Sequence, residues 1–315
     1  MTVIEYTTGI FNDEYKSKID EFFGERMKEL STNLELNTLE RIIVSGKFTD
    51  DVLKVQEEYQ MSERGHTDRD DGIAVAKVLH TKFKGQLKQT IVINDYLING
   101  LFIPEAAQIS LHLLHHEFCH IHENYYQNEM FTSEARNGHG MDRLQHTLIC
   151  NAEPIWSEYF AVRSSSTSLV MNADTDLYFP YLLDLIDLCK EKIEERISKY
   201  RLNGNLDDLF AFLQEETSML LKIAATTQGY IDGLGLAKHE ISHMIEEQLQ
   251  KTYFYDIWTS QQKVLRELFD KFPNWNDVYE LSGLGEAVKE CWSEMGMFVT
   301  YVQGSEGIYI NVPWK

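Results

Sequence analysis

The stretch Leu111-His112-Leu113-Leu114-His115-His116-Glu117-Phe118-Cys119-His120-Ile121-His122-Glu123-Asn124 decides how this chain is read. At its centre is an HExxH motif, His116-Glu117-Phe118-Cys119-His120. On an α-helix, residues four apart share a face, so both imidazoles can reach one metal ion. Glu117 stands about 100° round the helix from His116, close enough to hold a water that the metal also polarises. A metal-activated nucleophile and a general base together are what metal-assisted hydrolysis needs. The bland alternative is a chance pair of histidines on one helix. With 11 histidines in the chain, chance yields on the order of 0.04 such motifs per chain of this composition. The flanking Leu113, Leu114, Phe118, Cys119 and Ile121 are uncharged, as a buried active-site helix requires. A metal site is therefore the expectation.

A catalytic zinc keeps three protein ligands and leaves one position for water. The third ligand is expected in Asn151-Ala152-Glu153-Pro154-Ile155-Trp156-Ser157-Glu158-Tyr159-Phe160-Ala161. Glu158 is the first candidate, because its helix has apolar neighbours on both sides. Glu153 is the second; it precedes a proline and reads as a cap or a solvent-facing acid. Glu123 lies on the stripe of His116 and His120, where a third ligand has poor geometry, so it reads as an exposed acid or a partner of a ligand. His112 reads as a neighbour of the site, His139 as a surface-loop histidine. Tyr159 reads either as a core residue or as a donor to an oxyanion.

The rest of the chain sets limits. It has 315 residues, 43% of them hydrophobic, enough for one large domain or two lobes, and this excludes intrinsic disorder. Fifty acids against 29 bases give a net charge of −21. Such a surface repels phosphate backbones, so no general nucleic-acid binding is expected. The opening MTVIEYTTGIFNDEYK lacks the pattern of a signal peptide, and no apolar run has the length to cross a bilayer. The four cysteines form no CxxC pair, which predicts free thiols in a reducing cytoplasm.

Periodicity predicts helices over 11–31 and 50–60, the latter capped by Thr49, and strands over 39–45, 72–83 and 88–95. The last two are expected to pair antiparallel across Gly85. Helical spacing then dominates: 141–165, 180–200, 206–227, 233–251, 258–271 and 276–302, with a last short strand over 307–312. The expected class is α+β. A lobe over 1–135, with a small mixed or antiparallel sheet, ends in the HExxH helix. A mostly helical lobe over 136–315 carries the third ligand, with a substrate cleft between them.

A second HExxH, His239-Glu240-Ile241-Ser242-His243, complicates this. One alternative makes Glu117/His120 and Glu240/His243 two halves of a di-iron carboxylate site, an oxidoreductase. That leaves His116 without a role and sits poorly with strands at 72–95. Another makes the second motif catalytic, with Glu290 or Glu294 as third ligand. The plain alternative is a charged helix face.

Thr90-Ile91-Val92-Ile93-Asn94, the HExxH helix, and Trp156-Ser157-Glu158-Tyr159-Phe160-Ala161 together resemble the zincin metallopeptidases with a glutamate third ligand. Within these the chain is most similar to the compact bacterial IrrE/ImmA-type core, over roughly residues 39–165. The resemblance implies Zn2+ held by His116, His120 and Glu158, with Glu117 as general base and a peptide or protein as substrate. It also implies a zincin-like first lobe, and a strand at 89–94 that aligns a peptide by β-augmentation. The gap from His120 to Glu158 is longer than the family pattern, and the helical half has no counterpart in it. A non-catalytic regulatory protein on the same scaffold is the third reading.

Overall fold

The computed structural model describes residues 2–61, 68–69, 72–73, 75–169, 177–302 and 307–314. They fall into two compact units, Met1–Asn128 with Thr167–Val170, and Glu129–Ser166 with Met171–Lys315.

The first unit contains β1 (Val3–Tyr6), α1 (Asp13–Leu30), β2 (Leu39–Ser45), α2 (Phe48–Glu58) and the two-residue strands β3 (Asp68–Arg69) and β4 (Gly72–Ile73). It continues through β5 (Ala76–Phe83), β6 (Gln86–Asn94), α3 (Asp95–Gly100) and α4 (Ala107–Met130). The sheet order is β1-β2-β6-β5. The first two pairings are parallel and β6–β5 is antiparallel. Unbroken apolar runs mark strands covered on both faces. Ile42, Val44, Ile91 and Ile93 pack with Ile19 and Phe23 of α1 and with Leu114, Phe118 and Ile121 of α4. Ile43, Val92 and Leu79 belong to a second cluster, with Phe48, Val52 and Val55 of α2.

The expected strand pair turns at Lys84-Gly85, with φ of 51° and 81°. Two left-handed residues in a two-residue loop match the right-handed twist of the flanking strands. Strand β6 lies inside the sheet, hydrogen-bonded on both sides. The expectation that 89–94 aligns a peptide is therefore corrected: its backbone groups are already used by β2 and β5. Thr49 is also not the cap of α2; Lys47 holds that position without a side-chain bond.

The second unit contains α5 (Ser133–Arg136), α6 (Arg143–Ser165), α7 (Phe179–Asn203), α8 (Leu206–Gly233), α9 (Glu240–Leu249) and α10 (Tyr255–Lys271). It ends with α11 (Ser282–Glu294) and the hairpin of β7 (Phe298–Tyr301) and β8 (Ile308–Asn311). Helix α6 opens with a reciprocal cap between Asp142 and Gln145. Its buried Trp156 and Phe160 pack against Phe272 and Trp275. The single helix expected over 276–302 is broken. A 3-10 turn precedes α11, and Gly296 at φ 85° ends it. The β-branched Val299 and Thr300 then continue as strand.

The chain is thus α+β, and none of its described helices is long and apolar enough to cross a membrane.

Helices α6 and α8 approach closely at two glycines. A Cβ at Gly233 would lie 2.5 Å from the Arg163 carbonyl oxygen and 2.7 Å from the Ser166 side chain. At Gly24, exposed in α1, nothing lies within 4 Å. One substitution therefore has opposite signs at the two sites. Gly233→Ala is expected to destabilise by about 1–3 kcal/mol through overpacking. Gly24→Ala is expected to stabilise by about 0.5–1 kcal/mol through helix propensity. Urea unfolding midpoints of the two variants check both signs.

Candidate metal centre

Helix α4 carries the motif as the spacing predicts. His116 Nε2 and His120 Nε2 lie 3.0 Å apart, with the rings nearly perpendicular at 84°. Two ligands of one tetrahedral zinc, at bonds of about 2.0–2.1 Å, keep their nitrogens about 3.3 Å apart. The pair is thus close to the spacing a shared ion demands. His116, Glu117 and His120 are all partly exposed, while Phe118 and Cys119 between them are buried.

The helix is held in place by a residue that sequence reasoning missed. Gln89, buried in β6, donates to the Ile121 carbonyl at 2.8 Å and to Thr38 Oγ1 at 2.9 Å. Its own carbonyl oxygen accepts from Asn124 Nδ2 at 3.0 Å. These bonds join the central strand to the turn of α4 just after His120. A lone glutamine inside an apolar strand was the available signal.

The electrostatics suit a ligand pair. Burial first, then the charges of His120, His112 and His115, hold the His116 imidazolium well below its usual range. The neutral imidazole is the ligating form. Glu123, fully buried, places Oε2 3.6 Å from His120 Nδ1 and accepts from Gln127 at 2.7 Å. It is a buried neighbour of His120, not the exposed acid that was one of the two readings of its position. His112 Nδ1 and His115 Nδ1 both meet Ser168 Oγ, at 3.3 and 3.2 Å. Burial, then Glu123 and Glu117, push the Cys119 thiol far up, so it is inert.

Glu158 lies in the second unit, partly exposed on α6, one residue before the buried Tyr159-Phe160-Ala161-Val162 run. Its charge helps push the ionisation of Tyr230 upward, after burial and Tyr178. Glu153 is also partly exposed, but lies within α6 rather than at a cap, and its charge acts on Cys150. Five residues separate the two acids, which sets them about 140° apart around the helix. Tyr159 takes the core role. Its hydroxyl donates to Asp232 at 2.6 Å and accepts from Arg163 at 2.8 Å, and Asp232 is gripped by Arg266 at 2.7–3.0 Å. His139 is an exposed loop residue.

The second HExxH is not a helical ligand pair. Helix α9 starts at Glu240, and His239 is its extended N-cap, with φ −84° and ψ 152°. Its Nδ1 accepts from the Ile241 amide at 3.3 Å. An extended first histidine breaks the i, i+4 face on which the motif depends. His239, Glu240 and His243 are exposed, and among the described residues no metal-holding group of donors includes them.

Compared with protein-family models, with curated proteins and with solved structures, the chain matches none.

His122, two residues past the motif, gives a pH prediction. Its Nδ1 accepts from the Glu35 amide at 2.7 Å, and burial pushes its pKa down to about 4 from 6.5. The unfolded chain thus takes up this proton at a higher pH than the folded one. The stability from this group is full above about pH 6.5 and is lost as pH falls toward 4, by about 2 kcal/mol after solvent screening. Urea unfolding at pH 7 and pH 4.5 should show that loss shrinking in His122→Gln. An identical pH dependence in the two proteins refutes it.

Proposed function

We propose that the chain is a metal-dependent hydrolase of peptide bonds, in which His116, His120 and Glu158 hold a zinc ion and Glu117 is the general base. The observation that carries this reading is the convergence of the two Nε2 atoms on one face of α4. Two imidazoles and a carboxylate are a donor set of catalytic zinc, with one position open. A zinc ion so bound supplies the Lewis acidity that brings the pKa of a water to about 7.

The chain's own groups do the rest. A Glu117 carboxylate oxygen takes a proton from the attacking water and returns it to the leaving amine. Glu123, behind His120 Nδ1, favours the tautomer that leaves Nε2 free to ligate. Glu158 is preferred to Glu153 because its helix has apolar neighbours on both sides, with Trp156, Tyr159 and Phe160 buried beside it. The charge of −21 favours basic or neutral peptide segments over acidic ones. All four cysteines are free thiols, in keeping with a reducing cytoplasm.

Elemental analysis of the purified protein and its variants tests this. One zinc per chain is expected in the wild type and in His243→Ala, and none in His120→Ala. Glu117→Gln should keep the metal and lower kcat on a peptide library by about 10²–10⁴-fold. Two irons, lost with either histidine, would replace the hydrolase with the di-iron oxidoreductase. Bound zinc with no peptide cleaved would make the protein a non-catalytic binder.

A further inference from the structure

Glu194, Ile197, Ser198 and Arg201 recur at three- and four-residue spacing in α7 and so share one face of that helix. That face is one wall of a cavity of about 460 Å³ in the second unit. The end of α11 supplies a second wall, with Ser293, Glu294 and Met295. Strand β7 and the segment after β8 supply a third, with Phe298, Val312 and Pro313. The volume falls in the range of small-ligand sites, about 300–1,000 Å³. Gly296, at φ 85°, turns the chain from α11 into β7, and a Cβ there would meet nothing within 4 Å.

The walls combine an apolar floor with a surplus of acceptors. Ile197 and Met295 are buried, and Phe298 is 43% exposed. Ser198 Oγ donates to the Glu194 carbonyl at 2.9 Å, and Ser293 Oγ to the Lys289 carbonyl at 3.0 Å. A hydroxyl has one proton, so each serine offers only lone pairs to a ligand. Glu194 and Glu294 contribute a carboxylate each, and that of Glu294 makes no hydrogen bond or ion pair among the described residues. The cation among the lining residues, Arg201, is turned to another task. Its Nη2 donates to the Pro313 carbonyl at 2.9 Å, and its guanidinium lies 4.6 Å from the centre of the Trp314 ring. It clamps the chain after β8 onto α7 and so builds the third wall. The C-terminal end of α11 adds the negative end of a helix dipole.

We propose that this cavity binds an organic cation, a primary ammonium carried on an apolar stem. The stem lies along Ile197, Met295 and Phe298, and the ammonium donates to the carboxylates and serine lone pairs around it. Two carboxylates against one engaged guanidinium disfavour an anion. A neutral apolar molecule would strip water from the acceptors and give no donor in exchange. The net charge of −21 raises the concentration of cations near the surface. A free amine and a lysine side chain of a peptide share this chemistry. The site needs no metal, so its fate is separate from that of the zinc reading.

Isothermal titration calorimetry of the full chain with phenylbutylamine is the test, with phenylbutanol as the neutral analogue and phenylbutyrate as the anion. One amine should bind per chain, the alcohol about 5-fold more weakly, and the anion not at all. Glu294→Gln, at an exposed position, should weaken the amine about 5-fold at low salt and leave the alcohol unchanged. Ser198→Trp places an indole in the cavity from the surface of α7 and should abolish binding. The methylamide of N-acetyl-lysine separates the two sources: binding tighter than that of phenylbutylamine assigns the site to peptide lysines, and weaker binding assigns it to free amines. No binding of either ammonium, equal affinity for amine and alcohol, or an amine affinity unchanged by either substitution overturns the proposal.

Discussion

A buried amide, that of Gln89, ties the HExxH helix to the sheet by hydrogen bonds on top of its apolar packing. Gln89 sits on β6, a strand with a parallel neighbour on one side and an antiparallel one on the other, and reaches out of it to the backbone of α4 one residue past His120. Strand β6 cannot shift without breaking ladders on both sides. The helix therefore inherits the rigidity of the sheet. Two imidazoles converge on one point only if the helix that carries them neither rotates nor slides, and the three bonds of Gln89 resist both. Unsatisfied, each polar end of that side chain would cost about 1–3 kcal/mol in an apolar layer, so the amide has one stable arrangement.

In the second unit the corresponding constraint is steric. Helix α6 packs chiefly on α8 and α11, and only marginally on strand β7. Its place is set by α8, through two glycines that let the backbones meet and through the Tyr159–Asp232–Arg266 network that locks their rotation. Glu158 stands just before this lock.

What was legible in the residues divides along these lines. Strand 39–45 and the hairpin across Gly85 could be read, because apolar runs and turn chemistry are local. The HExxH helix could be read for the same reason. Strand β1 is four residues with no cap, and only its ladder to β2 defines it. Helices α8, α9 and α11 were misjudged at their ends, where Gly235 and Gly296 adopt left-handed φ inside windows of good helical spacing. Gln89 showed only as a lone polar residue in an apolar strand, and the partner that gives it its role, Ile121, lies 32 residues away.

The extended backbone at His239 bears on how such motifs are found. A pattern of five letters specifies spacing along the chain, whereas ligation depends on angle around an axis. One residue in β conformation at the first position swings its side chain off the face that the fifth position shares. Any scan of genomes by letters alone will return surface helix starts of this kind beside true metal helices. A filter that asks whether the residue before the first histidine is itself helical distinguishes the two motifs of this chain: Lys238 fails it and His115 passes.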